Sequence, residues 1–179
     1  MDAPFGSAGD FFELQPCEGY FEANPPFVPA LVVAMVEHMR SLLDRAEVQR
    51  RPLLFATVIG SSAGMRRSAG WAGLLALASS AHGRAHWTIP LHRHGYTEGH
   101  AHIAARGEGA RMSSCESTVF IFATSAAAAA FPPTAEKEAA LRAGFRMAVP
   151  LNLHKASKAN KQAHSQKKKR RRQQQKEGP

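Results

Sequence analysis

In YFEANPPF, residues 20–27, a carboxamide, two prolines and a phenyl ring occupy four consecutive positions, Asn24, Pro25, Pro26 and Phe27. Each proline fixes its own φ near −65° and pushes the residue before it into extended backbone. Neither proline has an N–H, so this elbow is expected not to fold back on its own donors. The Asn24 carboxamide and the carbonyl oxygens are then left facing outward, with Phe27 as a flat apolar plate beside them. Such a set suits the exocyclic amine of a nucleobase. That nitrogen is a poor nucleophile because its lone pair is delocalised into the ring. The Asn24 side-chain oxygen and the Pro25 carbonyl could accept its two N–H bonds and favour lone-pair localisation as charge develops. Stacking of the base on Phe27 would add about 1–3 kcal/mol. The reading requires neither a metal nor a covalent nucleophile. The alternative is a proline-rich turn that caps a helix, with Phe27 in the core, since Asn and Pro are default turn residues.

The surrounding pattern must position these groups. Residues 19–23 read as a short strand that enters the elbow. After it, Leu31, Val32, Met35, Val36, Met39, Leu42 and Leu43 follow a 3.6-residue period, so the spacing predicts a helix with one buried face. Pro29 falls in its first turn, where a missing N–H costs little. The apolar run 52–60 reads as a strand buried on both faces, as in a parallel sheet. Residues 61–69 read as loop and 71–81 as a short helix. Two further strands are expected at 86–91 and 117–124, the first at an edge or ending at Pro90. A polar Gly/His/Arg loop, 92–114, separates them. The alanine run 126–130 is low in complexity, and a helix is expected at about 134–143. Strands alternating with helices predict an α/β layer with a mainly parallel sheet of about four strands. Trp71 and Trp87 read as core or helix–sheet packing.

The charge is segregated. Of 23 basic residues ten lie between Lys155 and Lys176, and of 14 acidic residues only Glu177 lies beyond 150, so residues 1–150 hold 13 of each. The net charge of +9 therefore belongs to a tail, 151–179, expected to be disordered. Its run 167–172, KKKRRR, reads as a nuclear-localisation address or a non-specific RNA-binding arm, with a merely solubilising tail as the alternative. Cys17 and Cys115 suggest no disulfide framework. No signal pattern or apolar run of about 20 residues is present, and the expectation is a soluble intracellular protein. His92, His94, His100 and His102 alternate without the carboxylate pattern of a zinc site, and no metal is assigned. Cys115 carries no signature of a nucleophile.

The longer pattern is more specific than the elbow. FGSAGDFFELQPCEGYFEANPPF, MVEHMRSLL, PLLFATVIG, HWTIPLHRHGYTEGHAHI, STVFIFAT and the segment Phe131–Thr134 together resemble the phosphorylated-CTD-interacting-factor family of cap-specific adenosine N6-methyltransferases. The resemblance runs over roughly 4–146, with FEANPPF its most distinctive piece. It implies a partial Rossmann-like fold of the S-adenosyl-L-methionine-dependent methyltransferases, with residues 1–150 as the C-terminal half of the catalytic domain. It implies that Asn24 and the Pro25 carbonyl hold the N6 amine, Pro26 completes the elbow, and Phe27 stacks on the target adenine. It also implies a substrate-side loop in which Arg93, Tyr96 and Arg106 meet cap or phosphate. The implied partners are capped mRNA and the phosphorylated C-terminal domain of RNA polymerase II, in the nucleus. No residues are assigned to the cofactor; Gly6 to Gly9 read as a plain turn. The alternative function is a catalytically inactive RNA-binding or polymerase-associated protein.

Overall fold

A computed structural model describes residues 10–97 and 110–147. The tail, Gly6 to Gly9, His100, His102 and Arg106 lie outside the described residues. The chain divides into two compact units, one of residues 1–91 and 115–141, the other of 92–114 and 142–179.

The first unit is built on one sheet. Strand β1 (Gly19–Ala23) leads through the elbow into helix α1 (Pro29–Val48), and α1 leads into β2 (Leu53–Gly60). After a short helix α2 (Ala63–Arg66), α3 (Ala69–Ala78) leads into β3 (Gly83–Ile89). The strand β6 (Ser117–Ala123) then enters the sheet, followed by α4 (Ser125–Ala130) and the start of α5 (Ala135–Met147). The strand order is β1-β2-β6-β3. The second unit contains an antiparallel pair, β4 (Gly95–Thr97) with β5 (Ala110–Met112).

The sheet is mixed rather than mainly parallel. β1 and β2 pair parallel, whereas β6 pairs antiparallel with both β2 and β3. β1, β2 and β3 still point one way because a helix carries the chain back between them. β6 reaches the sheet without such a crossover helix among the described residues, and it inserts in the opposite sense. β3 is an edge strand and ends at Ile89, just before Pro90, which has no N–H for a ladder.

Two consecutive crossovers that step the same way along a sheet lay their helices on the same face. α1 buries Val32, Met35, Val36, Met39, Leu42, Leu43 and Ala46 there, and α3 buries Leu74 and Leu77. Beneath them lie Phe55, Phe120 and Phe122 of the sheet, with Phe120 and Phe122 stacked at 5.8 Å. Each large apolar side chain so buried stabilises the fold by about 1.5–3 kcal/mol. Trp71 packs edge-on against Phe120 at 5.7 Å, as helix–sheet packing requires, and Trp87 is buried in β3.

β2 is not buried on both faces along its length. Phe55, Thr57 and Ile59 face the helices and are buried, while Leu54 and Ala56 are half-buried. With Tyr20, Trp87, Ile121 and Phe131 these two line a groove of about 480 Å³ on the opposite face. Two other expectations also change. Residues 61–69 are not all loop, because Ser62 accepts a hydrogen bond from the Met65 N–H and starts α2. The alanine run is helical because Thr124 caps it.

Thr124 ties three segments together. Its Oγ1 donates to the Arg51 carbonyl at 2.9 Å and accepts from the Leu53 N–H at 3.1 Å and the Ala127 N–H at 3.3 Å. Thr124→Val keeps the shape and removes all three bonds. We expect a loss of about 2 kcal/mol, from one cap and one buried donor left unpaired, read as a lower urea midpoint. A second anchor joins α1 to α4. The Ser125 N–H donates to the Glu47 carboxylate at 2.7 Å and holds its pKa below the ordinary 4.5. A carboxylate with a depressed folded-state pKa contributes its stabilisation above that ordinary value and loses it as pH falls through the folded one. Glu47→Gln should therefore lower the melting temperature at neutral pH, and the gap to wild type should close as pH falls from 4.5 through the lowered folded-state value.

Candidate active site

The elbow lies where the carboxyl ends of β1 and β2 meet the start of α1. In α/β sheets ligands bind outside the carboxyl ends of the strands. β1 ends at Ala23, which is buried, and Asn24 follows as the first exposed residue. Its carboxamide has no hydrogen-bond partner among the described residues.

The elbow does fold back once. The Val28 N–H donates to the Pro26 carbonyl at 2.7 Å, closing a three-residue turn around Phe27. The expectation that no local donor could reach back fails at this one group, because Val28 is the first residue after the prolines with an N–H. The Val28 carbonyl then accepts from Val32 and starts α1. The Pro26 oxygen is thus consumed, and the Pro25 oxygen accepts no main-chain bond among the described residues. The Asn24 carboxamide and the Pro25 carbonyl remain as acceptors with no partner among the described residues.

Phe27 is 43% exposed, so the ring is not in the core. It rests over the last residue of β2. A Cβ built on Gly60 would lie 2.7 Å from Phe27 Cε2. Asn24, Pro25 and Pro26 line a separate cleft of about 300 Å³ with Phe11, Phe12, Glu22, Ala23, Leu31 and Met35, and Phe27 is not among its walls.

The segment before β1 forms one wall of that cleft, and several contacts hold it. Phe11 meets His38 edge-on at 5.2 Å and Phe55 at 6.5 Å. His38 Nε2 donates to the Leu14 carbonyl at 3.0 Å, and Arg45 donates to Gln15 at 2.7 Å. Phe11 and Phe12 flank the elbow although they lie more than ten residues before it. Their place beside the elbow follows from the length of α1, which brings His38 and Arg45 under residues 11–15.

The second unit holds the remaining sequence candidates. Arg93 is exposed in the turn before β4, and Tyr96 lies in β4 paired with Arg111. The polar loop 92–114 therefore contains a two-stranded ladder. His94 is buried rather than solvated, edge-on to Phe145 at 6.4 Å. Among the described residues no group of three or more His, Cys, Asp or Glu could hold a metal ion. Neither Cys17 nor Cys115 is in a disulfide, and both are half-buried.

These features define an α/β protein with an exposed amide, carbonyl and phenyl elbow at the carboxyl edge of its sheet. Residues 1–99 match the family model described as the phosphorylated CTD interacting factor 1 WW domain. The chain belongs to this family. It is also 30% identical over 145 residues to the mRNA (2′-O-methyladenosine-N(6)-)-methyltransferases of Homo sapiens and of Mus musculus, a stretch that is 81% of this chain. The chain spans 20% of the length of each of these curated relatives. The family model names a WW domain, yet the matched residues described here form β1 to β4 and α1 to α3, with Trp71 on a helix and Trp87 on an edge strand.

Proposed function

We propose that this chain is part of a methyltransferase that modifies the N6 amine of the 2′-O-methyladenosine next to a 7-methylguanosine cap. The observation that carries the reading is the pair of acceptors with no partner among the described residues, Asn24 Oδ1 and the Pro25 carbonyl, beside the half-exposed Phe27 ring. They stand in a chain 30% identical to enzymes named for that reaction. The three co-directional strands linked by helices support a Rossmann-like methyltransferase sheet.

In this reading the Asn24 oxygen and the Pro25 carbonyl each accept one N–H of the adenine amine. Two fixed acceptors hold the nitrogen in place and stabilise the positive charge that develops as its lone pair becomes a nucleophile. Phe27 covers one face of the base and fixes its plane. Neither acceptor changes protonation state.

The methyl donor that the family resemblance implies is S-adenosyl-L-methionine. The cleft beside Asn24 does not fit it as a complete pocket. Its walls are two phenylalanines, Leu31, Met35, Ala23 and two prolines, with Glu22 the one carboxylate and no cation for an amino-acid carboxylate. We therefore assign no residues to the donor. The same observation favours a second reading, in which the chain binds RNA or the phosphorylated polymerase tail without turnover. Calorimetric titration of S-adenosylmethionine into the chain separates the two readings: binding supports the enzyme, and none supports the second.

The partners we propose are capped mRNA, contacted by Arg93 and Tyr96, and the phosphorylated C-terminal domain of RNA polymerase II, in the nucleus. The tail 151–179 would add electrostatic affinity for RNA and a nuclear address.

Asn24→Ala should lower methyl transfer to capped RNA by about 10²–10³-fold, as for loss of a transition-state donor or acceptor. RNA affinity by fluorescence anisotropy should change less than about twofold, because no charge or stacking surface is removed. Equal transfer rates in the two proteins would reduce the elbow to a turn. Deleting residues 155–179 should weaken RNA binding and flatten its salt dependence while leaving base preference unchanged. A change in base preference would contradict the assignment of the tail.

A further inference from the structure

Phe27 would serve as a stacking plate only if the ring stayed in one orientation while 43% exposed. A phenyl ring on a short turn can rotate about two side-chain bonds, and the floor beneath it restricts that rotation. A Cβ at residue 60 would meet Phe27 Cε2 at 2.7 Å, Cδ2 at 2.9 Å and Cζ at 3.2 Å. Carbon atoms in contact sit about 3.5–4.0 Å apart, so any side chain here would drive the ring away. Gly60 ends β2 without a left-handed φ, so its backbone does not itself demand glycine. What residue 60 must provide is space for the ring.

The floor is also held still. Gly60 pairs with Ser117 across the β2–β6 ladder. The next residue, Ser61, is buried and donates its N–H to the Glu116 carbonyl at 2.7 Å. Arg66 Nε donates to the Ser61 carbonyl at 3.0 Å, and Arg66 Nη2 meets the Glu116 carboxylate at 2.6 Å. The Arg66 and Glu116 side chains are 43% and 45% exposed, so their attraction alone adds little stability. Their geometry does more, because one guanidinium grips both strand ends that support residue 60.

We propose that Gly60, held by the Arg66–Glu116 clamp, is a positioning element for Phe27. It packs one part of the ring on peptide and leaves the exposed part as a one-sided platform for a planar base. The inference rests on the stacking role given to Phe27 above. Gly60 touches the ring and not the base, so it positions rather than catalyses.

The test is a double-mutant cycle read by stacking. The probe is a short capped RNA with 8-vinyladenine, which keeps the 6-amino group, as its first transcribed base, whose fluorescence is quenched when the base stacks. Wild type should quench it, and Phe27→Ala should abolish the quenching and weaken binding by about 5–150-fold. Gly60→Ala, checked for folding by thermal melting, should lose most of the quenching. The double variant Gly60→Ala/Phe27→Ala should bind no worse than Phe27→Ala alone, because both changes remove the same contact. A folded Gly60→Ala that quenches like wild type, or a loss that adds fully to that of Phe27→Ala, overturns the inference and leaves the stacking reading standing. Should Gly60→Ala fail to fold, Arg66→Gln replaces it in the cycle. Partial loss of quenching only when Phe27 is present supports the inference, and unchanged quenching overturns it. No quenching by wild type, or full quenching by Phe27→Ala, overturns the stacking reading and the inference with it.

Discussion

The seam between α1 and the phenylalanine face of the sheet is the contact on which the rest of this structure depends. Seven side chains of one helix are buried along it, and Phe55, Phe120 and Phe122 provide the other half. At about 1.5–3 kcal/mol for each large apolar group, no polar contact among the described residues approaches it. Because α1 cannot slide on this seam, its first residue is fixed relative to the end of β1. Only five residues, 24–28, span the gap. Two are prolines, which restricts them further.

The seam explains why the elbow has acceptors to spare. A strand that turns into a helix ordinarily satisfies its carbonyls by the ladder on one side and the helix on the other. Here β1 stops at Ala23 and the helical bonds start with the Val28 carbonyl. In between, Pro25 and Pro26 have no N–H, and Val28 provides the first local donor. That donor reaches Pro26 and no further. The Pro25 oxygen and the Asn24 carboxamide therefore keep no partner among the described residues, and a ligand can supply one.

The reversed strand β6 has a matching role. It lies between β2 and β3 and brings Glu116 beside Ser61. The far end of the same strand brings Thr124 under the start of β2. One strand thus ties both ends of β2, and the carboxyl end of β2 is where Phe27 rests.

Much of this was legible in the residues alone. The strand 19–23, the helix with Pro29 in its first turn, the apolar strand after it and the elbow between them are local. Side-chain periodicity and the stiffness of proline determine them before any long-range contact forms. What local pattern could not disclose was direction and coverage. Nothing in STVFIFAT states that the strand runs against its neighbours, and nothing in the apolar run 52–60 separates its covered face from the groove side with Leu54 and Ala56. The Gly60 contact was equally out of reach, since Phe27 and Gly60 meet only after α1 has carried the chain out and back. Spacing along the chain reports which faces are apolar; which of them meet, and which polar atoms remain unpaired, depends on contacts between residues far apart in sequence, and those exist only in the folded protein.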